Sequence, residues 1–416
     1  MGKCFIIKLM KKPKIYYGWV IVAASFFAEI MAFGAMYTFS VFFGPLCEEF
    51  GWTRAMTAGA FSTYMIVHGV FYIVSGMLTD KYGPRIVVVI GGLLMGLGLC
   101  LTSQVNTIGQ LYLFLGVIVG IGMGSVFVPL ATTTTRWFED KRGLALGIVT
   151  AGSPVGTIVL SLVAQYLILN YDWRTAYIII GIATLTIVII AALFLRRDPG
   201  EIGLLPLGAK AKSNGDDLAD NRVENGYSLA EAIKTKIFWI IGAVNLMYVA
   251  AVFVPMTHIV VHCLDIGIEP MAAAGMVAFI GGGQIAGRLG GGVISDRIGS
   301  RNTLILSFSF LTGCLFWVIW INEGWMFMLF SLIFGLSFGV AVPQIPRLVV
   351  DFFGLKQMGV ILGVITALTA IGGALGSWLG GYIFDMTGSY SSAFMIGGIL
   401  TLVSLVVVAL FLKVPK

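Results

Sequence analysis

Two matching stretches of the sequence decide the fold: Gly76-Met-Leu-Thr-Asp-Lys-Tyr-Gly-Pro-Arg85 and Gly292-Val-Ile-Ser-Asp-Arg-Ile-Gly-Ser-Arg301. Each stretch follows a long apolar run and has the pattern Gly-x-x-x-Asp-(Lys/Arg)-x-Gly-x-Arg. Their aspartates, Asp80 and Asp296, are 216 positions apart. The same separation relates further glycines, Gly147 with Gly363 and Gly156 with Gly372. The chain is therefore predicted to consist of two parallel repeats in one register.

The composition places these repeats in a membrane. The chain is 58% hydrophobic and 11% charged, whereas soluble proteins are about 45–50% apolar and about 25% charged. A membrane helix needs about 20 apolar residues. Twelve such spans are predicted, at 17–43, 54–79, 86–104, 108–135, 143–167, 174–195, 237–262, 271–295, 302–321, 325–349, 357–382 and 390–412.

The order of these spans predicts the architecture. Six spans form an N-terminal bundle at 1–195, and six more form a C-terminal bundle at 237–416. A polar linker at 196–236 separates them, with one surface helix near Ser228–Lys234. The predicted fold class is an all-α polytopic membrane protein with twelve transmembrane helices in two six-helix bundles.

Basic residues predict the orientation of the chain. Of the 26 Lys and Arg residues, 23 fall on one side of the predicted membrane, and only Arg54 and Arg174 fall on the other. Lys and Arg are enriched on the cytoplasmic side, so both termini are expected to be cytoplasmic in a plasma or inner membrane. This placement also explains the net charge of +6 without nucleic acid. The expected partners are lipid, a small substrate and protons, and the protein is expected to be a monomer.

Other residue patterns exclude several classes of site. The five cysteines, Cys4, Cys47, Cys100, Cys263 and Cys314, lack metal-ligand spacing and are interpreted as apolar side chains of the core. A disulfide between Cys47 and Cys263, on the same predicted outer side, is the alternative. No metal site, cofactor motif or catalytic constellation is visible. The protein is therefore not predicted to be an enzyme.

One basic residue, Arg288, lies well inside a predicted span. It precedes Asp296 by eight residues, or about 12 Å of helix. A charge at such a depth costs roughly 2.5–3.5 kcal/mol in insertion experiments, so the side chain must face protein or water. Because a guanidinium binds a carboxylate through two parallel hydrogen bonds, Arg288 is predicted to anchor a substrate carboxylate. The alternative is a buried arginine paired with Glu29 or with a carbonyl group.

Further titratable residues within the spans are weaker candidates. Glu29 lies in the middle of span 1 and is expected either to carry a proton or to pair with Arg288. His258 and His262 are one helical turn apart near the outer end of span 7, where they either take up a proton or face the surface. His68 is interpreted as a core histidine. The predicted cavity wall consists of Tyr37, Phe127, Gln284 and Phe338, each with simple burial as its alternative role.

The repeated loop resembles the signature of the major facilitator superfamily. By this resemblance the loops latch the two bundles on the cytoplasmic side. Arg347, at the inner end of span 10, is expected either to join the latch or to extend to the membrane surface. For the repeated loops themselves, the alternative to a latch is a solvated turn that only marks the topology. The gate residues that the resemblance implies are Asp80, Arg85, Arg136, Arg142, Asp296 and Arg301.

A narrower resemblance concerns the stretch Arg136–Gly156, together with Tyr17-Gly18-Trp19 and Tyr37–Phe43. These residues are similar to the signatures of the proton-linked monocarboxylate transporters, and the related oxalate:formate exchangers share them. In both groups an arginine of the eighth helix holds the substrate anion, and Arg288 falls on that position. The resemblance implies a short monocarboxylate such as lactate or pyruvate, proton symport and alternating access by rocking of the bundles.

Three departures from these families qualify that expectation. Ile365 stands where the oxalate exchangers have a second cation, so a dianion would leave one charge unpaired. Tyr37 and Gln284 stand where animal monocarboxylate carriers have a lysine and an aspartate for proton coupling. The alternatives are an oxalate:formate-type antiporter and a membrane anion sensor that signals through the linker.

Overall fold

A computed structural model describes residues 16–52, 54–209 and 226–412. Within these ranges the chain is helical and contains no β-strand. The basic N-terminal segment, the charged middle of the linker at 210–225 and the side chain of Cys47 lie outside the described residues.

The first half of the chain contains six membrane passages, called spans 1–6 below. Their bounds are Tyr17–Tyr37 continued by Phe39–Phe50 (span 1), Arg54–Tyr82 (span 2), Pro84–Thr102 (span 3), Ile108–Leu111, the π-helix Tyr112–Val119, Gly120–Gly124 and Phe127–Trp137 (span 4), Arg142–Asn170 (span 5) and Trp173–Phe194 (span 6). The spans fall where the sequence predicts them, with breaks inside spans 1 and 4.

The second half repeats this order as spans 7–12. Their bounds are Lys236–Asp265 (span 7), Pro270–Ile298 (span 8), Ser300–Trp317 continued by the 3₁₀-helix Val318–Trp320 (span 9), Gly324–Ala341 and Gln344–Phe353 (span 10), Met358–Thr387 (span 11) and Ser391–Phe411 (span 12). The linker contributes a 3₁₀ turn, Pro199–Ile202, and a short helix, Leu229–Ala232. Ser228 and Glu231 form a capping box at the start of that short helix, which confirms the predicted surface helix.

Eleven of the described helices are long and apolar enough to cross a membrane. Span 8 is as long as the others, with 29 residues. It carries Gln284, Arg288 and several glycines, which lower its hydropathy. Gln284 and Arg288 belong to the candidate site described below. The predicted all-α fold is confirmed.

Prolines explain the breaks inside spans 4 and 10. A proline lacks the backbone N–H and its ring clashes with the carbonyl group four residues earlier. Pro129 follows the break at Ser125–Val126, and Pro346 follows the break at Val342–Pro343. Spans 4 and 10 are therefore bent at nearly equivalent places in the two repeats.

The described residues form two hydrophobic cores, one in each half of the chain. One core is built from spans 1–6, and the other mainly from spans 7–12. Equivalent helices pack together in the two halves: span 1 on span 5 and span 7 on span 11, span 3 on span 6 and span 9 on span 12. The exact boundaries at 195 and 236 stay a prediction.

Glycines hold the two bundles close where they cross. A Cβ on Gly147 of span 5 would lie 2.3 Å from the carbonyl oxygen of Arg288 in span 8. A Cβ on Gly363 of span 11 would lie 2.4 Å from the carbonyl oxygen of Tyr72 in span 2. The two crossings are equivalent, because Gly147 and Gly363 are 216 positions apart and so are Tyr72 and Arg288. The bundles therefore meet backbone to backbone, because only glycine allows so close an approach.

The linker is attached to equivalent loops of both bundles. Near its start, Leu207 pairs with Phe138 in the loop between spans 4 and 5. Near its end, Gly226 pairs with Gly354 in the loop between spans 10 and 11. Phe138 and Gly354 are 216 positions apart. Both attachments lie at the end of the molecule that carries the repeated Gly-x-x-x-Asp loops, called the latch end below.

Candidate functional site

A cavity of about 140 Å³ lies between the two bundles. Its walls come from spans 1, 2, 4 and 5 of one bundle and from spans 7, 8, 10 and 11 of the other. Its polar lining residues are Glu29, Tyr37, His68, Tyr72, Thr150, Ser153, Asn245, Tyr248, Arg288, Thr366 and Thr369.

Many lining residues occupy equivalent positions of the two repeats. The pairs that are 216 positions apart are Glu29 with Asn245, Phe33 with Val249, Tyr37 with Phe253, Tyr72 with Arg288, Thr150 with Thr366 and Ser153 with Thr369. The cavity therefore lies where the two repeats face each other. This register could have identified Tyr72, Asn245, Thr366 and Thr369 from the sequence, but only in combination with the known lining residues.

Arg288 lies in this cavity and is 5% exposed. Its Nη1 donates to the carbonyl oxygen of Thr150 in the other bundle, and its Nη2 donates to Oε1 of Gln284 at 3.2 Å. Its Nε has no partner, and no carboxylate of the described residues lies within 4.0 Å of the guanidinium. Because a guanidinium has five N–H donors, several remain for a ligand.

Glycines of span 8 position this arginine. Gly283, Gly287 and Gly291 face span 10, where an added Cβ would lie 2.4, 2.1 and 2.8 Å from backbone atoms. Spans 8 and 10 therefore pack at very short distance along one face of span 8. The side chain of Arg288 consequently points toward span 5 and the cavity instead of toward lipid.

Glu29 lies in the wall of the same cavity, on span 1. It is 1% exposed, and neither carboxyl oxygen has a hydrogen-bond partner among the described residues. Gly152 of span 5 packs directly behind it, because a Cβ there would lie 2.7 Å from the Glu29 Cβ. Of the two pairings predicted as the alternative role of Arg288, the ion pair with Glu29 does not occur in this structure, whereas a hydrogen bond to a carbonyl group, that of Thr150, does. A buried carboxyl group without a partner is costly unless it is protonated or takes up a ligand.

The predicted aromatic wall is partly assembled. Tyr37, Phe127 and Phe338 line the cavity. Gln284 does not line it but holds the Arg288 side chain in place. Aromatic rings that the sequence analysis did not single out, Tyr72 and Tyr248, complete the wall beside Phe127 and Phe338.

The three histidines have different positions. His68 is buried, as expected, but lines the cavity. His258 does not line the cavity: its Nε2 lies 2.9 Å from the carbonyl oxygen of Ser377, and its ring stacks on Tyr390. His262 also lies outside the cavity, with its ring against Phe327 and Phe394. The prediction that His258 and His262 take up protons has no support from their positions.

Two aspartates join the bundles at the latch end. The carboxylate of Asp296 accepts hydrogen bonds from the backbone N–H groups of Gly143 and Leu144, at 2.9 and 3.0 Å. The carboxylate of Asp80 accepts from Gly359 and Val360, at 3.2 and 3.0 Å. Each carboxylate thus caps the N-terminus of a helix in the other bundle, where the helix dipole favours a negative charge.

A cation lies beside each aspartate, but the two cations differ. Arg347 contacts Asp296 at 2.6 Å. Arg136 lies 3.7 Å from Asp80 and also contacts Asp198 at 3.3 Å and the carbonyl oxygen of Leu355 at 2.8 Å. The sequence predicts Arg347 only as one option for the latch and gives no indication of Asp198. These contacts support a latch and not a free turn.

The other arginines of the predicted gate lie outside these bonds. Arg85 is exposed and makes none of the latch contacts. Arg142 donates to the carbonyl oxygen of Phe138 within its own bundle. Arg301 donates to the carbonyl oxygen of Ala409 at 2.6 Å, which joins spans 9 and 12. Arg85 and Arg301 are predicted gate residues because they end the two repeated motifs, and Arg142 is one because the resemblance makes it a candidate partner of the aspartates, but neither ground specifies where a long side chain points.

Known proteins of similar sequence are transporters. A sequence model of the Major Facilitator Superfamily matches residues 25–377. The chain is 27% identical to monocarboxylate transporter 13 of Rattus norvegicus over 92% of this chain and 86% of that protein. It is 28% identical to monocarboxylate transporter 11 of Homo sapiens, over 93% of this chain and 81% of that one.

Solved structures show the same fold. The proton:xylose symporter XylE superposes with a TM-score of 0.77 and 14% identity, over 95% of this chain and 96% of that chain. The human organic anion transporter MFSD10 superposes with a TM-score of 0.74 and 15% identity, over 95% and 100% of the two chains. Together with the family match, these findings show that the chain is a transporter that belongs to the major facilitator superfamily.

Proposed function

We propose that this protein is a secondary active transporter of short-chain monocarboxylates, of the lactate and pyruvate type, driven by proton symport. The observation that carries the proposal is the Arg288 guanidinium. It is buried beside a cavity, held by neutral acceptors only, and has donors free. A charged group in such a place is stabilised by a ligand of opposite charge.

The charges of the cavity favour a monoanion. Arg288 is the cation of the described cavity lining, and Glu29 is its acid. Ile365, at the place of a second cation in oxalate exchangers, is fully buried, and its carbonyl oxygen accepts a hydrogen bond from Asn245 at 3.1 Å. A second carboxylate would therefore have no second Lys or Arg as a partner in the described cavity lining.

Glu29 is our candidate for the proton carrier. When it is protonated, the cavity is left with the positive charge of Arg288 and attracts the anion. When it releases the proton, its negative charge competes with the substrate for the same guanidinium and favours release. The two residues need no direct contact for this coupling, because like and unlike charges interact over several ångströms in a low-dielectric interior.

The latch defines which side of the transporter is closed. With the termini in the cytoplasm, the bonds of Asp80 and Asp296 close the cytoplasmic end, and the cavity is loaded from outside. Rocking of the two bundles about their glycine crossings would then break both sets of bonds and open the cytoplasmic end.

The proposal is tested by uptake into liposomes that contain the purified protein. Labelled lactate, pyruvate, formate and oxalate are supplied with and without an inward proton gradient. We expect saturable uptake of lactate or pyruvate that the gradient drives above equilibrium. Arg288→Gln should lower this uptake at least about 100-fold, because two charge-assisted hydrogen bonds are lost. Arg301→Gln is the matched control, since Arg301 lies outside the cavity.

Each alternative has its own outcome in this assay. Counterflow of formate against oxalate, independent of pH, would favour the antiporter. Specific binding of an acid without any uptake would favour the sensor. Uptake by Arg288→Gln at the rate of the unmodified protein would overturn the carboxylate proposal.

A further inference from the structure

The part of the cavity wall that span 2 provides carries a polar group without a hydrogen-bond partner among the described residues. His68 is 4% exposed and lines the cavity, and both Nδ1 and Nε2 lack a hydrogen-bond partner among the described residues. Buried polar groups are almost always hydrogen-bonded. An orphaned imidazole that faces a cavity therefore indicates a place where a ligand supplies the missing partner.

The repeat shows where His68 lies relative to Arg288. His68 and Tyr72 of span 2 are the equivalents of Gln284 and Arg288 of span 8, at a separation of 216 positions. Both pairs are one helical turn apart on one face of a helix. In span 8 the two side chains hydrogen-bond to each other. In span 2 the rings of His68 and Tyr72 meet edge to face, with centroids 4.3 Å apart, which leaves both ring nitrogens free.

The chemistry of the two walls is complementary. The span 8 wall presents a cation, which suits a carboxylate. The span 2 wall presents an imidazole, which in its neutral form has one donor and one acceptor and suits a hydroxyl or carbonyl group. Spans 2 and 8 line the cavity from different bundles, and His68 makes no hydrogen bond to Arg288, so we expect a ligand that reaches both residues to carry its second polar group away from its carboxylate.

We propose that His68 is a specificity-determining residue that hydrogen-bonds a hydroxyl or carbonyl group remote from the substrate carboxylate. The inference rests on the proposed function, in which Arg288 holds the carboxylate. A substrate bound in this way contacts both bundles at once, whereas a plain alkyl acid contacts the polar group of only one.

Binding of matched acids to the purified protein tests this assignment. The probes are butyrate, 2-hydroxybutyrate, 4-hydroxybutyrate, hexanoate and 6-hydroxyhexanoate, with affinities measured by calorimetry in detergent. We expect at least one terminal hydroxyl to raise the affinity about three- to tenfold over the plain acid, which is the usual worth of one neutral hydrogen bond. The 2-hydroxyl group, close to the carboxylate, should give no gain through His68.

Substitutions of His68 give the decisive comparison. His68→Leu should remove the preference for the terminal hydroxyl, so that this variant binds the hydroxy acid and the plain acid with affinities within about twofold of each other. His68→Gln places the residue of the equivalent position there and should retain most of the preference, and it also serves if the leucine variant does not fold. Tyr64→Phe is the matched control: it removes another unpartnered buried polar group of span 2 that does not line the cavity.

The outcomes separate this inference from the function it rests on. If the acids bind through Arg288 but no terminal hydroxyl improves binding, or if the improvement survives in His68→Leu, the assignment of His68 is overturned and the transport proposal stands. If none of the acids binds, or if Arg288→Gln binds them as well as the unmodified protein, the proposed function itself is overturned.

Discussion

The two bundles have nearly the same backbone arrangement but opposite charge at their shared cavity. Span 8 carries Arg288 where span 2 carries Tyr72, and span 1 carries Glu29 where span 7 carries Asn245. Some other equivalent residues of the lining, such as Thr150 and Thr366, are of the same type. The repeated helices thus form the walls of the cavity. Its charges come from two positions at which the repeats differ, Arg288 in place of Tyr72 and Glu29 in place of Asn245.

The latch also combines residues that are equivalent in the two repeats with residues that are not. Asp80 and Asp296 are equivalent, and each caps the equivalent helix of the other bundle. Their cations are not equivalent: the counterpart of Arg136 is Phe352, and the counterpart of Arg347 is Ala131. The aspartate bonds to backbone are fixed by the repeat, whereas each bundle provides the neighbouring cation from its own sequence.

After the loss of uptake expected for Arg288→Gln, the largest effect is expected at the charge that distinguishes span 1 from span 7. Glu29→Gln should abolish accumulation of the acid driven by a proton gradient, with a loss of at least about tenfold. The amide has the shape of the carboxyl group but cannot carry a proton. The measurement is uptake at equal internal and external acid concentration, with and without a gradient.

Two controls accompany this measurement. Exchange of labelled for unlabelled acid should persist in Glu29→Gln, because exchange needs no net proton movement. Glu29→Asp keeps a titratable group and should retain part of the accumulation. Full accumulation in Glu29→Gln would mean that the difference between Glu29 and Asn245 has no role in coupling.

A smaller effect should distinguish the two aspartates of the latch. Asp296→Asn is expected to destabilise the closed latch by about 2 kcal/mol, because a close charged contact with Arg347 is lost. Asp80→Asn should cost about 1 kcal/mol or less, because Arg136 is more distant and keeps Asp198 as a partner. These values correspond to roughly 30-fold and fivefold more open latch.

The fraction of protein with an open latch can be measured with a cysteine introduced at a buried position of the latch end. Thr135→Cys, in an otherwise cysteine-free protein, places a thiol where Thr135 contacts Met358 between the bundles at the latch end. The rate of its reaction with a charged thiol reagent measures opening. Glu49→Gln is the control, since Glu49 contacts Trp173 and Arg174 within one bundle, away from the latch end. Equal or greater opening in Asp80→Asn than in Asp296→Asn would contradict the ranking.

The smallest effect concerns the start of the last span in each bundle. Asp172 caps span 6 by accepting from the backbone N–H of Thr175 at 2.6 Å, whereas span 12 begins without a side-chain cap. Asp172→Ala should lower the free energy of unfolding by about 1 kcal/mol, measured by thermal unfolding in detergent.

This cap should also depend on pH. The hydrogen bond from Thr175 lowers the pKa of Asp172. Its stabilising contribution is therefore present above the ordinary pKa of about 3.9 and is lost as the pH falls through the lowered value. Asp172→Asn keeps an acceptor and should be stable without this pH dependence. An unchanged free energy of unfolding in Asp172→Ala would show that the cap at the start of span 6 gives it no stability that the uncapped span 12 lacks.

Much of the fold could be predicted because lipid imposes simple rules. Span length, the repeat at 216 residues and the apolar composition together gave twelve spans close to those observed. The breaks at Ser125 and Val342 were not predicted, because a proline in a membrane helix is often accommodated without a break, as Pro154 is in span 5.

The site was harder to predict than the fold. Arg288 and Glu29 stood out because a charge inside an apolar span is rare, and both line the cavity. Tyr72, Tyr248 and Asn245 have no such signal, since these residue types are common in helix cores. The latch partner Arg347 was ambiguous because a long side chain near a helix end reaches several places, and only the assembled bundles select one.

The glycine crossings have a mechanical consequence. Helices with interlocked side chains move past each other in discrete steps, because each step requires side chains to leave one groove and enter the next. At Gly147 and Gly363 smooth backbone surfaces meet instead, so small rotations of one bundle on the other need no change of rotamer. A single methyl group at either glycine would push the helices apart and alter the pivot of the transporter, although it would leave the chemistry of the cavity untouched.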